Sequence, residues 1–131
     1  MNTGKTKPFV IIAAQSPWRF APIKERLELE NLIDKAVLLA IAEEVIRAIP
    51  KTGPCLIIAD SAIGHEGNEA HKEVSTGTRI IIRECKKRNP ECKIMLLTVE
   101  PFDLKPEEFD FYVNSLDRNS LEKVLAIVKN L

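Results

Sequence analysis

Residues 55–60, Cys-Leu-Ile-Ile-Ala-Asp, form an uninterrupted apolar run that ends at an acidic side chain. Turn-forming residues Lys51-Thr-Gly-Pro54 precede this run, and a polar stretch from Ser61 to Gly77 follows it. A short run rich in β-branched residues, without polar alternation, predicts a strand that is buried on both faces of a parallel sheet. Such a strand needs helices on both sides, so the run indicates an α/β domain.

Four further apolar runs are spaced along the chain, and helical patterns separate them. Residues 32–49 could form one long helix, but we prefer a strand followed by a helix, since one helix would leave the first strand without its neighbour. Asn119 and Glu122 resemble a capping box that begins the last helix. The predicted strands cover residues 9–14, 36–41, 55–59, 93–98 and 109–113, and the predicted helices cover residues 22–34, 42–49 and 78–87 and a terminal segment after Asn119.

Strand and helix therefore alternate five times within one domain, residues 9–131, after a flexible N-terminus at residues 1–8. This alternation predicts a flavodoxin-like, doubly wound, five-stranded parallel sheet of order 2-1-3-4-5 with helices on both faces. In such sheets ligands bind at the carboxyl ends of the strands. The residues predicted at those ends are Ala14, Gln15, Asp60, Ser61, Thr98 and Asn114.

Composition excludes several classes of protein. The 131 residues carry 19 basic and 19 acidic side chains, so net charge gives no reason to expect binding to nucleic acid or to a membrane surface. Three cysteines, without a CxxC pair, are expected to be buried, reduced thiols. No secretory leader or membrane-spanning run is visible, and we expect the protein to stay in the cytoplasm.

Taken in order, residues 35–47, 54–60, 77–85, 93–98 and 111–117 resemble the phosphoacceptor receiver (CheY-like) domains of two-component signalling. The resemblance covers nearly the whole chain. It implies that Asp60 occupies the phosphoacceptor position and that Thr98 and Phe111 occupy the two switch positions. It also implies a cytoplasmic role in signal transduction.

The sequence departs from the receiver pattern where the family's charges are needed. Ala14 and Gln15 match the acidic pair that holds Mg²⁺ in receivers, and no acidic residue precedes Glu25. Asn114 and Ser115 match the family's lysine and the proline after it. Phosphoryl transfer depends on such neutralising charges, so these positions predict a degenerate pocket with no cofactor and no catalytic residue. Asp60 would then accept backbone N–H bonds from its own loop.

Two connecting segments differ in length from those of receivers. The chain between Asp60 and Gly77 is longer than usual, and the chain between Thr98 and Asn114 is shorter. We therefore expect the helix that receivers place between their fourth and fifth strands to be short or missing. Because that helix belongs to the surface receivers use to signal, we expect different partners or a fixed homodimer.

Two further groups of residues could bind something. His65, Glu66 and His71 could contribute to a transition-metal site, although a polar, solvated loop without metal is the interpretation we prefer. Trp18, Arg19 and Phe20 could contact a partner, or the two aromatic residues could form a hydrophobic staple at the first helix.

The sequence thus predicts an atypical receiver, a pseudo-receiver, that is not an enzyme and acts by protein–protein interaction without Mg²⁺-dependent phosphoryl transfer. Its expected partners are proteins, including a second copy of itself, with no nucleic acid and no membrane. One alternative is a small-molecule or metal-binding domain that uses the cleft around Asp60 and the loop from His65 to His71. The other is a genuine phosphoacceptor receiver with an unusual switch.

Overall fold

The computed structural model describes residues 7–60, 76–99 and 104–131. Strands and helices alternate along these residues, and two short 3-10 helices lie at Pro17–Phe20 and Pro106–Glu108. The strands are β1 (Phe9–Ala13), β2 (Lys35–Leu39), β3 (Cys55–Ala59), β4 (Cys92–Thr98) and β5 (Phe111–Asn114), and the helices are α1 (Ala21–Leu29), α2 (Ala42–Ala48), α3 (Thr76–Arg88) and α4 (Ser120–Lys129).

All strand pairs are parallel, and the order β2-β1-β3-β4-β5 confirms the predicted topology. Every residue of β3 is buried, and Ile57 lies between Ile11 of β1 and Ile94 of β4. Alternate residues of the sheet contribute to two apolar layers, one packed by α2 and α3 and the other by α1 and α4. The alternative of one helix over residues 32–49 is wrong, because β2 and α2 are separate elements.

Helix α1 ends at Leu29, whereas the sequence pattern predicted a helix through Asp34. Asn31 has a φ of 57°, in the left-handed region, and its N–H donates to the Glu28 carbonyl. The N–H of Leu32 donates to the Leu27 carbonyl at 3.1 Å, and both side chains belong to the α1–α4 layer. This is a Schellman motif, which satisfies the last carbonyls and turns the chain into β2.

The start of α4 differs from the predicted capping box. Asn119 is the N-cap residue, but its side chain makes no capping hydrogen bond. Instead the Asp117 carboxylate accepts the Asn119 N–H at 2.8 Å and pairs with the Lys123 ammonium. The ammonium and the N–H hold the pKa of Asp117 below its ordinary value.

The segment that enters β5 is held by Asp110. Within residues 104–110 the only helical turn is Pro106–Glu108, in agreement with the expected loss of a full helix. Strand β5 begins at Phe111 rather than at the predicted Phe109, since Asp110 turns its carboxylate back to the sheet. Its Oδ2 atom accepts the Ile94 N–H at 2.8 Å and a bond from Lys86 Nζ at 2.9 Å.

The three cysteines are buried and free, as the sequence predicted. Cys55 and Cys92 are partners in the register of β3 and β4. Hydrogen bonding to the Cys55 thiol, together with burial, raises the pKa of Cys92 to about 12. A thiol in such surroundings stays protonated and unreactive. No helix among the described residues is long and apolar enough to cross a membrane.

Asn89 ties the turn before β3 to the turn before β4. Its side chain is fully buried, its Nδ2 group donates to the Gly53 carbonyl at 2.9 Å, and its Oδ1 atom accepts the Glu91 N–H at 3.0 Å. Gly53 has a φ of 91°, which disfavours any residue with a Cβ atom. The amide of Asn89 thus fixes the amino ends of the two central strands.

Replacing Asn89 with Ala should lower the free energy of unfolding by about 2–3 kcal/mol, since two hydrogen bonds are lost and their partners stay partly buried. Asn130→Ala is the matched control, because Asn130 is exposed and bonds only within α4. It should cost less than about 1 kcal/mol. Urea denaturation measures both, and equal losses would contradict the bracing role of Asn89.

Asp110→Asn tests the link between Asp110 and the sheet. Partial burial opposes ionisation of this carboxyl, but the Ile94 amide and the Lys86 ammonium outweigh it and lower its pKa. The ionised carboxylate therefore stabilises the fold above the ordinary pKa of 3.8, and this stabilisation is lost as the pH falls through the lower folded value. The variant should lose about 1–2 kcal/mol near neutral pH.

Urea denaturation of both proteins near pH 7 and at acidic pH below the folded pKa checks this prediction. The difference in unfolding free energy between wild type and Asp110→Asn should shrink in acid. Asp34→Asn serves as the control, since Asp34 is exposed and lies in the turn before β2. A difference that is the same at both pH values would show that the charge of Asp110 contributes nothing.

Candidate functional site

The carboxyl ends of the strands place Asp60 at the centre of one sheet edge. Ala13 and Ala59 are register partners, so the next residues, Ala14 and Asp60, lie side by side on neighbouring strands roughly 4.8 Å apart. The Asp60 N–H donates to the Ala13 carbonyl at 2.9 Å and continues the ladder past β3. Asp60 is half-buried there, at the switch point of the doubly wound sheet.

Helix α3 holds the backbone at Asp60. The Thr78 hydroxyl donates to the Asp60 carbonyl oxygen at 3.1 Å, and Thr78 is fully buried. The first turn of α3 is therefore tied to the end of β3. The loop whose N–H groups we expected to bind the Asp60 carboxylate lies at residues 61–75, outside the described residues.

The two positions of the missing acidic pair differ in their surroundings. Ala14 is buried at the end of β1, and Gln15 is exposed. A methyl group cannot ligate a cation, and an amide offers one neutral oxygen where Mg²⁺ favours carboxylates. Among the described residues, no group of three or more His, Cys, Asp or Glu side chains is placed to hold a metal ion.

Asn114 ends β5 beside Thr98. Its Oδ1 atom accepts the Leu116 N–H at 2.9 Å, which makes it part of a local turn, and the Ser115 N–H donates to the Thr98 carbonyl at 3.0 Å. The position that carries a lysine in receivers is thus an exposed, neutral amide.

The structure does not bring Thr98 and Phe111 to the same face of the sheet. Phe111 pairs with Met95, and both belong to the α1–α4 layer. Thr98 is two residues beyond Leu96, which belongs to the α2–α3 layer, so its buried side chain lies on that opposite face. The two candidate switch residues are therefore separated by the sheet.

The aromatic residue on the face of Thr98 is Tyr112, which the sequence analysis missed. Tyr112 pairs with Leu96, and its hydroxyl donates to the Val99 carbonyl at 2.5 Å. Its ring is partly exposed. Strict alternation along β5 could have identified it, because the buried Val113 fixes which neighbours face the other way.

The residues after β1 separate into exposed and packed members. Trp18 is 72% exposed and Arg19 is exposed as well, so both remain available to a partner. Phe20, the N-cap residue of α1, packs against the α1–α4 layer. The hydrophobic staple proposed for both aromatic residues does not hold for Trp18. His65, Glu66 and His71 lie outside the described residues.

Neither the models of known protein families nor the sequences of characterised proteins match this chain. Solved structures do match. RcsB from Salmonella enterica serovar Typhimurium, solved bound to the P1flhDC promoter with the phosphomimetic BeF3-, is 19% identical with a TM-score of 0.66. The match covers 95% of this chain but only 61% of the RcsB chain.

Two single receiver domains are similar over nearly their whole length. The receiver domain from Methylobacillus flagellatus has 19% identity, a TM-score of 0.64 and coverage of 94% of this chain and 99% of its own. The receiver domain from Methanospirillum hungatei has 18% identity and a TM-score of 0.63, and the match covers 95% of this chain and 96% of its own. The chain therefore has the receiver (CheY-like) fold of response regulators, the fold that its strand order and the resemblance of its sequence both indicated.

Proposed function

We propose that this domain is a pseudo-receiver, which acts in signal transduction by protein–protein contact and does not catalyse Mg²⁺-dependent phosphoryl transfer. The observation that carries the proposal is the sheet edge around Asp60. There Asp60 is the one carboxylate among the described strand ends, and its neighbours at the family's charged positions are Ala14, Gln15 and Asn114.

The electrostatic argument concerns the phosphorylated state. A phosphoryl group on Asp60 would carry close to two negative charges, and its transfer requires positive charge that stabilises the equatorial oxygens. In receivers a metal ion and a lysine supply it. Here the methyl group of Ala14 and the amides of Gln15 and Asn114 supply none, so we infer that Asp60 has a structural role.

The separation of Thr98 from Phe111 argues against Phe111 as the aromatic switch residue. A switch that couples phosphorylation to an aromatic side chain needs both groups on one face of the sheet. Thr98 shares its face with Tyr112, whose hydroxyl is already bonded to the Val99 carbonyl. We infer that this surface is held in one conformation.

The contact surface that we propose lies beside the carboxyl end of β5, the edge strand of the sheet. Three exposed apolar side chains are found there: Val99 at the end of β4, Tyr112 on β5 and Leu116 after β5. Clustered apolar side chains on an exposed strand are a recognised site of protein association. We propose a cytoplasmic protein partner with a matching apolar surface, with a second copy of this chain as the first candidate.

RcsB was solved bound to a promoter, but this chain spans only part of the length of RcsB. The equal numbers of acidic and basic side chains in this chain do not favour DNA binding. We therefore propose neither a nucleic-acid nor a membrane partner.

The first test is phosphorylation. Incubation with acetyl phosphate, or with beryllofluoride, in the presence of Mg²⁺ should change neither the mass of the protein nor its amide NMR spectrum. Asp60→Asn is the control for any adduct elsewhere. A stoichiometric phosphoryl adduct that disappears in Asp60→Asn would contradict the proposal and support a genuine receiver.

A gain-of-function variant makes the test sharper. Gln15 is exposed, so the variant Gln15→Asp should fold and should return one carboxylate to the edge. We expect Mg²⁺ binding that is stronger in the variant than in the wild type, as measured by titration. Equal Mg²⁺ affinity in both would show that the charge at this position is not what limits metal binding.

The second test concerns self-association. Leu116→Ser should weaken dimerisation by about tenfold if Leu116 is a central contact of the surface. Leu29→Ser is the matched control, because Leu29 is 80% exposed and Leu116 is 76% exposed, but Leu29 lies at the end of α1. Analytical ultracentrifugation measures both. A chain that stays monomeric at high concentration, or equal effects of the two variants, would contradict the homodimer.

A further inference from the structure

A cavity of about 650 Å³ opens at the amino ends of the strands, on the edge of the sheet opposite Asp60. Pro8 precedes β1, Pro54 precedes β3 and Glu91 precedes β4, and all three line the cavity. The turn after α1 and the end of α4 complete its wall with Leu32 and Val128. Its volume lies within the range of pockets that hold small molecules, roughly 300–1,000 Å³.

The base of the cavity is apolar and well ordered by packing. Cys55 and Val128 are buried there, and Leu32 packs against the α1–α4 layer. Asn89 and the Schellman turn at Asn31 fix the loops around the opening. The shape of the site is therefore part of the fold and does not depend on a bound molecule.

The rim of the cavity carries three lysines, Lys7, Lys93 and Lys129. Two negative groups line it as well: the side chain of Glu91, whose Oε2 atom accepts the Gly53 N–H at 3.0 Å, and the main-chain carboxylate of Leu131. Within the described part of the chain, Lys7 and Lys93 form no ion pair, although Lys93 is close enough to Asp110 to help lower the pKa of that carboxyl. Lys129 lies 3.7 Å from a Glu30 oxygen, but that carboxylate is also paired with Arg26 at 2.6 Å.

Lys93 is unusual in its position. It is the exposed residue near the start of β4, in a strand whose other residues are all buried, and it pairs in register with the buried Leu56. Its side chain extends on the face of the sheet that α4 covers, since Met95 two residues later belongs to the α1–α4 layer. An ammonium group at this point lies above an apolar base, where an anionic ligand would be desolvated and held more strongly.

We propose that this cavity binds a small amphipathic anion, a molecule with an apolar body and a carboxylate or phosphate group. The apolar body would contact Leu32, Pro54 and Val128, and the anionic group would be bound by Lys7 and Lys93. The site is independent of phosphoryl chemistry at Asp60, because the two lie at opposite edges of the sheet.

The test uses decanoate and decyl phosphate as probes, with decanol as the uncharged analogue and inorganic phosphate as the analogue without an apolar body. Binding is followed by displacement of fluorescent anilinonaphthalene sulfonate and by amide NMR. Decanoate and decyl phosphate should shift the amide signals of Cys55, Lys93 and Val128 and leave those of Gln15 and Asp60 unchanged. Decanol and inorganic phosphate should each bind at least about tenfold more weakly.

The double variant Lys7→Gln/Lys93→Gln should weaken decanoate binding by about tenfold or more, since it removes both ammonium groups that are proposed to bind the anion. Lys51→Gln is the matched control, an exposed lysine near the same edge that does not line the cavity. It should change the affinity by less than about twofold. Urea denaturation establishes that each variant is folded.

Leu32→Trp gives a second variant, because a larger side chain would fill the cavity without removing any charge. With the cavity filled, the fluorescent probe should no longer bind there, and decanoate should displace none of it. The proposal is overturned if the charge-removing double variant binds decanoate as the wild type does, if decanol binds as well as decanoate, or if no probe binds at millimolar concentration. Signal shifts centred on Gln15 and Asp60 would overturn it as well.

Discussion

The structure depends on the burial of β3 between β1 and β4. Ile57 has a β-branched neighbour on each side, Ile11 and Ile94, and the alternating residues of the same three strands make both apolar layers. Burial of a strand on both faces is possible only where helices cover both sides, so this strand fixes the layered architecture. It also fixes where the strand ends meet, and with that the neighbours of Asp60.

The topology could be predicted because it follows from the apolar runs of the sequence. The residues at which helices and strands end could not be predicted, because they depend on the backbone conformation of single residues. The apolar run predicted β3 at its observed bounds, Cys55–Ala59, whereas the apolar spacing around α1 continued past its end. Leu29 looks like a core residue by its spacing, but it is exposed as the last residue of α1, and the left-handed Asn31 follows the end of the helix. Before α4 the side-chain hydrogen bond is made by Asp117 and not by Asn119, since the Asp117 carboxylate accepts the Asn119 N–H and pairs with Lys123.

The candidate site was predictable in position and only partly in geometry. Parallel strands bring their carboxyl ends to one edge, so Gln15, Asp60 and Asn114 could be placed together from the sequence alone. The face of each side chain could not be placed so simply, since a shift of one residue in the register of a strand reverses it. The fifth strand begins at Phe111 and not at Phe109. Tyr112 shares its face with Thr98, and the sequence could have placed it there only by alternation from the buried Val113.

The two edges of the sheet differ in a way that follows from which residues can be ionised there. At the carboxyl edge Ala14, Gln15 and Asn114 occupy the positions where the resemblance to receivers implies charged side chains around Asp60. At the amino edge Lys7 and Lys93 line a cavity with an apolar base, the arrangement on which we base the proposed site for an anion carried by an apolar molecule. The fold is that of a receiver, and we propose the amino edge, rather than the carboxyl edge, as the place where an anion binds. Since β1, β3 and β4 extend from one edge to the other through a rigid core, an anion bound there would contact the same strands that position Asp60.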